Sequence, residues 1–303
     1  MLQLKTNHMI KTMRLKYFIA ILIISYLVVL GLYINRYFLS KTGLSLFAKR
    51  PFISVLVTSY NYESYIRQTL DSILAQTYKN YEVIIVDDGS TDNSVAVISD
   101  YVNKYKNFHL YQHDGGVNKG LPVSFKLGVE KAKGDYIAVL ESDDYWTPNN
   151  LLEKVKMINK YPDAVIISNN VIPFGEDDNL HDIQATKFYV LDISRRLKEK
   201  NKILADNDIL FNPIPTFSAV TIKTEILLQL DFLPPKSDIL DLWLYRQIFV
   251  NYDLYYIATP LTMWRKHFQS YGRKKKNNDE VEIKSVIEAF ERIINTVKEK
   301  NRS

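Results

Sequence analysis

From Pro51 onward, short apolar runs alternate with amphipathic stretches, and this rhythm restricts the chain to a layered α/β fold with crossover helices. Ile53 to Thr58 reads as a buried strand, Tyr65 to Gln76 as a helix with Ile66, Leu70, Ile73 and Leu74 on one face, and Tyr81 to Asp87 as the next strand. A helix near Ser94 to Tyr105, a strand at Phe108 to Gln112, a helix near Leu121 to Ala132 and a strand at Tyr136 to Leu140 repeat the pattern. Thr147-Pro148 offers a cap and a first-turn proline to a helix across Leu151 to Lys160. Ala164 to Asn169 is expected to be another strand. From Pro173 to about Leu210 the periodicity fades, the acidic loop Gly175-Glu176-Asp177-Asp178 interrupts it, and the region is expected to be irregular.

The ends of the chain differ from this middle. Tyr17 to Ile34 runs 18 residues without a charge, close to the roughly 20 that a helix needs to cross a bilayer. The expected division is therefore a basic segment at 1–16, a transmembrane anchor at 17–35, a linker at 36–50, the sheet domain at 51–270, and a basic segment with an amphipathic helix at 271–303. Lys5, Lys11, Arg14 and Lys16 precede the apolar run and Arg36, Lys41, Lys49 and Arg50 follow it, so charge gives no orientation. Arg273 to Lys276 suits either anionic headgroups or a solvated linker, and beyond it Ile283, Val286, Ile287, Phe290, Ile293, Ile294 and Val297 share one helical face. The net charge of +5, from 39 basic and 34 acidic residues, argues against a nucleic-acid partner. With no cysteine, disulfides, thiolate metal sites and cysteine nucleophiles are excluded, leaving oxygen and imidazole ligands.

In open sheets of this kind ligands gather beyond the carboxyl ends of the strands. Those ends are polar here: Thr58-Ser59-Tyr60-Asn61, then Asp87-Asp88-Gly89-Ser90-Thr91-Asp92, then Glu141-Ser142-Asp143-Asp144. Hydroxyls, an aromatic face and several carboxylates on one edge suit a nucleotide with a hard divalent cation. Asp-Gly-Ser is also ordinary turn chemistry, and the acids could simply be a solvated turn. No Gly-x-Gly-x-x-Gly follows the first strand, which disfavours a dinucleotide oxidoreductase.

The stretches ISVLVTSYN, SILAQTYKNYEVIIVDDGSTDNS and AKGDYIAVLESDDYWTP resemble the family 2 glycosyltransferases of the GT-A fold, and the likeness spans about Phe52 to Lys160. It resumes at Asn212 to Ser218, Asp238 to Arg246 and Trp264 to His267. The resemblance implies a mostly parallel Rossmann-like sheet flanked by helices and a metal-dependent inverting transfer from a nucleotide-sugar donor, UDP-linked, to a glycan or lipid-linked acceptor. It also implies that Thr58 and Tyr60 contact the nucleotide, that Asp88 accepts a base N–H, and that Asn118 borders the sugar. The family's Asp-x-Asp appears as Glu141-Ser142-Asp143. Asp143 is the implied ligand of Mn²⁺ or Mg²⁺, Glu141 a longer variant, and Arg265 or His267 approaches the diphosphate or metal. The family's acidic pair before Leu242-Trp243-Leu244 is displaced, which puts Ile239 at the expected base position. Asp241 and Asp238 are the candidate bases, with helix capping the competing role. Phe125 and Lys126 depart from the family's polar residues, so no sugar contact carries over there. The likeness to bacterial surface-polysaccharide enzymes implies a membrane protein with its catalytic domain on the cytoplasmic face. A catalytically silent scaffold of the same fold and a nucleotidyltransferase are the alternatives.

Overall fold

The computed structural model describes residues 20–21, 23–37, 48–175, 180–201, 212–234 and 239–267, together with 288, 291, 292, 295 and 299. It divides into two compact units, 1–49 and 50–303. In the first, residues 20–21 and 23–37 are helical and carry exposed apolar side chains such as Ile24, Leu27, Val29 and Leu32. Among the described residues, no helix is long and apolar enough to cross a membrane. The expected transmembrane anchor at 17–35 includes residues 17–19 and 22, which lie outside the described residues.

Among the described residues, the second unit holds nine strands: β1 (Ile53–Ser59), β2 (Tyr81–Asp87), β3 (Phe108–Gln112), β4 (Tyr136–Val139), β5 (Tyr145–Trp146), β6 (Ile166–Gly175), β7 (Lys200–Asn201), β8 (Val220–Lys223) and β9 (Leu254–Lys266). Its helices are α1 (Ile66–Leu74), α2 (Ser94–Lys104), α3 (Leu121–Lys131), α4 (Asn150–Lys160), α5 (Leu180–Arg196), α6 (Thr224–Leu227) and α7 (Leu240–Phe249). One sheet runs β3-β2-β1-β4-β8-β6-β9-β5, with β7 pairing β9. β3, β2, β1 and β4 are parallel. Every residue of β2 is buried, as a strand covered on both faces must be. Leu56, Ile84, Val86, Phe125, Ile137 and Phe217 join Leu244, Tyr245 and Ile248 of α7 in one core. All the polar strand ends of β1, β2 and β4 point to one edge.

Three expectations are corrected. The sheet is mixed, because β8 inserts antiparallel between β4 and β6, arriving from the turn at 216–219 instead of by a crossover helix. The region after Pro173 is not wholly irregular: β6 continues to Gly175 on a parallel pairing with β9, and α5 buries Val190 and Ile193. The end of β6 is fixed by its long-range pairing with β9, and α5 leaves Phe188 and Leu191 exposed beside its buried residues, so sequence periodicity misses both. Finally, α4 starts at Asn150 with Asn149 at its N-cap; the carbonyls of Thr147 and Pro148 are taken by Gln76 Nε2 and Thr77 N. The basic run 273–276 and most of the C-terminal helix positions lie outside the described residues.

Candidate functional site

The first two strand ends are stitched together by their own polar side chains. Asn61, with φ of 57°, donates its N–H to Ser90 Oγ (2.9 Å) and accepts from Thr91 N (2.8 Å). Tyr62 N and Glu63 N reach Ser94 Oγ and Asp92 Oδ2, each at 3.0 Å. Asp87 is fully buried and accepts from Ser90 N (2.9 Å) and Ser90 Oγ (2.6 Å), which closes the turn. Asp88 binds a different loop: Oδ1 accepts from Lys119 N (2.8 Å), Oδ2 from Gly120 N (2.9 Å), and His113 Nε2 stands 3.4 Å from Oδ1. This loop crosses so close over Gly89 that a Cβ there would lie 2.7 Å from both Asn118 N and Gly116 O. Asn118 caps the loop internally, its Oδ1 accepting from Gly120 N (3.1 Å). Tyr60 is 43% exposed at the rim and Thr58 is half-buried.

The acidic turn follows β4 and is gripped from three sides. Thr69 Oγ1, on α1, donates toward the carbonyls of Ser142 (2.9 Å) and Asp144 (2.7 Å). From the turn at 216–219, Thr216 Oγ1 donates to Glu141 Oε2 (3.0 Å), and Ser218 Oγ accepts from Glu141 N (3.0 Å). From β9, Arg265 N donates to Asp144 Oδ1 (2.7 Å) and Arg265 Nε to the Asp143 carbonyl (2.8 Å), while Nη2 bonds Gln68 Oε1. The Arg265 guanidinium lies between the rings of Tyr65 (4.7 Å) and Phe174 (4.6 Å). Burial, followed by the charges of Asp143 and Asp144, raises the Glu141 carboxyl well above the usual carboxylate range. Burial and Asp143 do the same to Asp144. A cluster of acids held out of water in this way favours an added positive charge.

His267 Nε2 lies 3.0 Å from Asp143 Oδ2, and its ring packs edge-on to Tyr62 at 5.6 Å and against Tyr65 at 4.6 Å. This pair offers one carboxylate oxygen and one imidazole nitrogen, a donor set that suits Mn²⁺ or Mg²⁺ when diphosphate oxygens and water complete the shell. Glu141 faces Thr216 instead, and among the described residues no cluster of three His, Cys, Asp or Glu side chains could hold a metal ion. The residues thus fit a cation arriving with its phosphate ligands and not an all-protein cage. Asp241 sits in the first turn of α7, where Ile239 occupies the N-cap; it accepts from Leu242 N (2.7 Å) and Asn212 Nδ2 (3.3 Å). Its charge also contributes to raising Glu141, so it belongs to the same acidic neighbourhood.

The structure therefore gathers Glu141, Asp143, Arg265, His267 and Asp241, and sets Asp88, Asn118, Thr58 and Tyr60 along the neighbouring strand ends. Asp238 lies outside the described residues. Phe125 stacks on Phe217 at 4.7 Å inside the core. Sequence reading missed His113, Gln68, Thr216 and Ser218. The stretch Asn212 to Ser218 was noticed, but no local signal shows that its hydroxyls reach Glu141, 75 and 77 residues away.

A family model described as Glycosyl transferase family 2 matches residues 54–223. An uncharacterised glycosyltransferase of Haemophilus influenzae is 42% identical over 104 residues, covering 34% of this chain and 40% of the relative. One from Rickettsia prowazekii is 35% identical over 117 residues, 39% of this chain and 35% of the relative. The chain thus matches well under half the length of these relatives. Staphylococcus aureus TarS 1-349 in complex with UDP-GlcNAc superposes with a TM-score of 0.55 at 18% identity, over 78% of this chain and 65% of that one. The mannosyltransferase PcManGT from Pyrobaculum calidifontis, in complex with GDP-Man and Mn²⁺, gives 0.50 at 18% identity, over 74% and 59%. At these identities the likeness is one of fold alone. With the family match running from β1 through β8, over more than half of its length, the chain belongs to glycosyl transferase family 2.

Proposed function

We propose that this chain transfers a sugar, with inversion, from a nucleotide-diphosphate donor to an acceptor hydroxyl, and that UDP is the nucleotide. The observation that carries the proposal is the contact of Asp143 with His267 beside the buried acids Glu141 and Asp144, with Asp241 in the same neighbourhood. Asp143 and His267 would hold Mn²⁺ or Mg²⁺, whose Lewis acidity stabilises the charge that gathers on the leaving diphosphate. Arg265, fixed by Asp143, Asp144 and Gln68, keeps the acidic turn in place and adds a positive charge near the same group. Thr58, Tyr60, Asp88 and Asn118 line the nucleotide side. Each Asp88 oxygen keeps a lone pair beyond its loop bond, enough to accept a base N–H. Asp241 takes the proton from the acceptor hydroxyl as its oxygen attacks the anomeric carbon and the nucleoside diphosphate leaves; the displacement needs no covalent nucleophile.

The acceptor class we propose is a glycan or lipid-linked sugar of a surface polysaccharide. The exposed apolar helix at 20–37 supports attachment to a membrane, with the catalytic unit on the cytoplasmic face where nucleotide sugars are made. Purified full-length protein with Mn²⁺ and a panel of nucleotide sugars tests the reaction. Release of UDP is expected, whereas release of pyrophosphate would identify a nucleotidyltransferase, and UDP binding without turnover a silent scaffold. Asp143→Ala should abolish metal-dependent UDP binding. Asp241→Asn should lower kcat by about a hundredfold or more while UDP affinity is kept; unchanged turnover in Asp241→Asn would remove it as the base.

A further inference from the structure

Glu141 is one methylene longer than the aspartate usual in its family. A flexible carboxylate contributes to a site only when something fixes it. Its carboxylate is fixed from a turn distant in sequence: Thr216 Oγ1 donates to Glu141 Oε2 at 3.0 Å and stands 3.4 Å from Asp144 Oδ2. Ser218 holds the backbone of the same residue, accepting from Glu141 N at 3.0 Å. Thr216 and Ser218 are 4% and 1% exposed, so water does not compete for these bonds.

The turn cannot drift, because its carbonyls are anchored by three other elements. The Ser218 carbonyl accepts from Trp146 Nε1 of β5 (2.8 Å) and Thr262 Oγ1 of β9 (3.3 Å). The Ala219 carbonyl accepts from Lys154 Nζ of α4 (2.7 Å). Thr216 therefore presents its hydroxyl from a fixed point. An aspartate at 141 would withdraw its carboxylate from that hydroxyl by about one carbon–carbon bond, roughly 1.5 Å, beyond hydrogen-bond range.

We propose that Thr216 is the positioning residue for Glu141, and that this pairing is what lets a glutamate stand at the first position of the acidic turn. The inference rests on the reading of the site as a nucleotide-sugar transferase, and Thr216 acts on the reaction only through Glu141.

The test is a cycle of Thr216→Val, Glu141→Asp and the double variant, with Thr216→Ser as the rescue, all in the full chain. Donor turnover with UDP-sugar and Mn²⁺ should fall about ten- to a hundredfold in kcat for Thr216→Val. Affinity for UDP with Mn²⁺ should change by less than about threefold, and Thr216→Ser should restore most of kcat. Glu141→Asp, although it returns the family's usual acid, should also lower kcat, and adding Thr216→Val to it should cost little more. Wild-type kcat in Glu141→Asp, or losses that multiply in the double variant, would overturn the pairing. The same cycle is read by chemical unfolding, where the two substitutions should be non-additive by about a threefold or larger factor in the folding equilibrium. If no nucleotide sugar is turned over by the wild-type protein, the transferase reading fails by itself. Additive unfolding changes would sink the pairing independently.

Discussion

At the scale of single residues, Gly89 and Lys154 each answer to a constraint that composition does not display. Gly89 has φ of +78°, and the backbone of 116–118 fills the space where a side chain would begin. Gly89→Ala is expected to cost about 2–4 kcal/mol in chemical unfolding, from left-handed strain together with the clash; a change below about 0.5 kcal/mol would show that the loop does not press there. Lys154 is 1% exposed and gives its amine to the carbonyls of Ile167 (3.1 Å) and Ala219 (2.7 Å). Burial pushes its pKa well below the usual lysine range. The unfolded chain keeps that proton up to the ordinary lysine value, whereas the folded chain gives it up earlier. Stability should therefore rise as pH climbs between the two. As pH rises toward the ordinary lysine value the wild type should gain more stability than Lys154→Met, by thermal unfolding at each pH. Equal slopes would mean that the buried amine titrates normally.

At the scale of elements, the site is made by loops that clamp one another. Asp88 closes the loop before α3 through two backbone N–H bonds, and α3 in turn packs Phe125 and Val129 under the sheet. Asp88→Ala leaves the N–H groups of Lys119 and Gly120 without their acceptor and should destabilise by about 2–3 kcal/mol. Hydrogen exchange should locate the loss at residues 117–120; protection unchanged there would deny Asp88 this role. The acidic turn illustrates the same principle with more partners, since α1, β9 and the 216–219 turn each bond it. β9 supplies Arg265, and His267 follows its last residue. Ten of the 13 residues of β9 pair in parallel with β6, and that pairing delivers these two side chains to the end of β4.

At the scale of the whole molecule, the two compact units call for separate tests. The second unit buries apolar residues in clusters around its sheet, whereas in the first unit Ile24, Leu27 and Val29 are more than half exposed. Full-length protein is expected to sediment with phospholipid vesicles and to resist extraction by high salt, because the attachment is apolar and not ionic. Release by 1 M salt would assign the attachment to surface charge instead. The absence of cysteine makes the chain convenient for labelling, since a single introduced thiol at either end reports its accessibility across a sealed vesicle.

Periodicity was enough to place β1 through β4 and their helices, because burial of a strand or of one helical face is written in residues two, or three and four, apart. The polar strand ends were also legible, since they follow from position at the end of a strand. Local pattern could not yield the antiparallel entry of β8, the helix α5, or the partners that complete the site. His267 meets Asp143 across 124 residues and Thr216 meets Glu141 across 75. Those contacts depend on strand order and register, which are decided by how the whole sheet packs. The sequence by itself determined which strand ends carry the acids; only the tertiary structure decided which distant hydroxyl, imidazole and guanidinium hold the acidic turn in place.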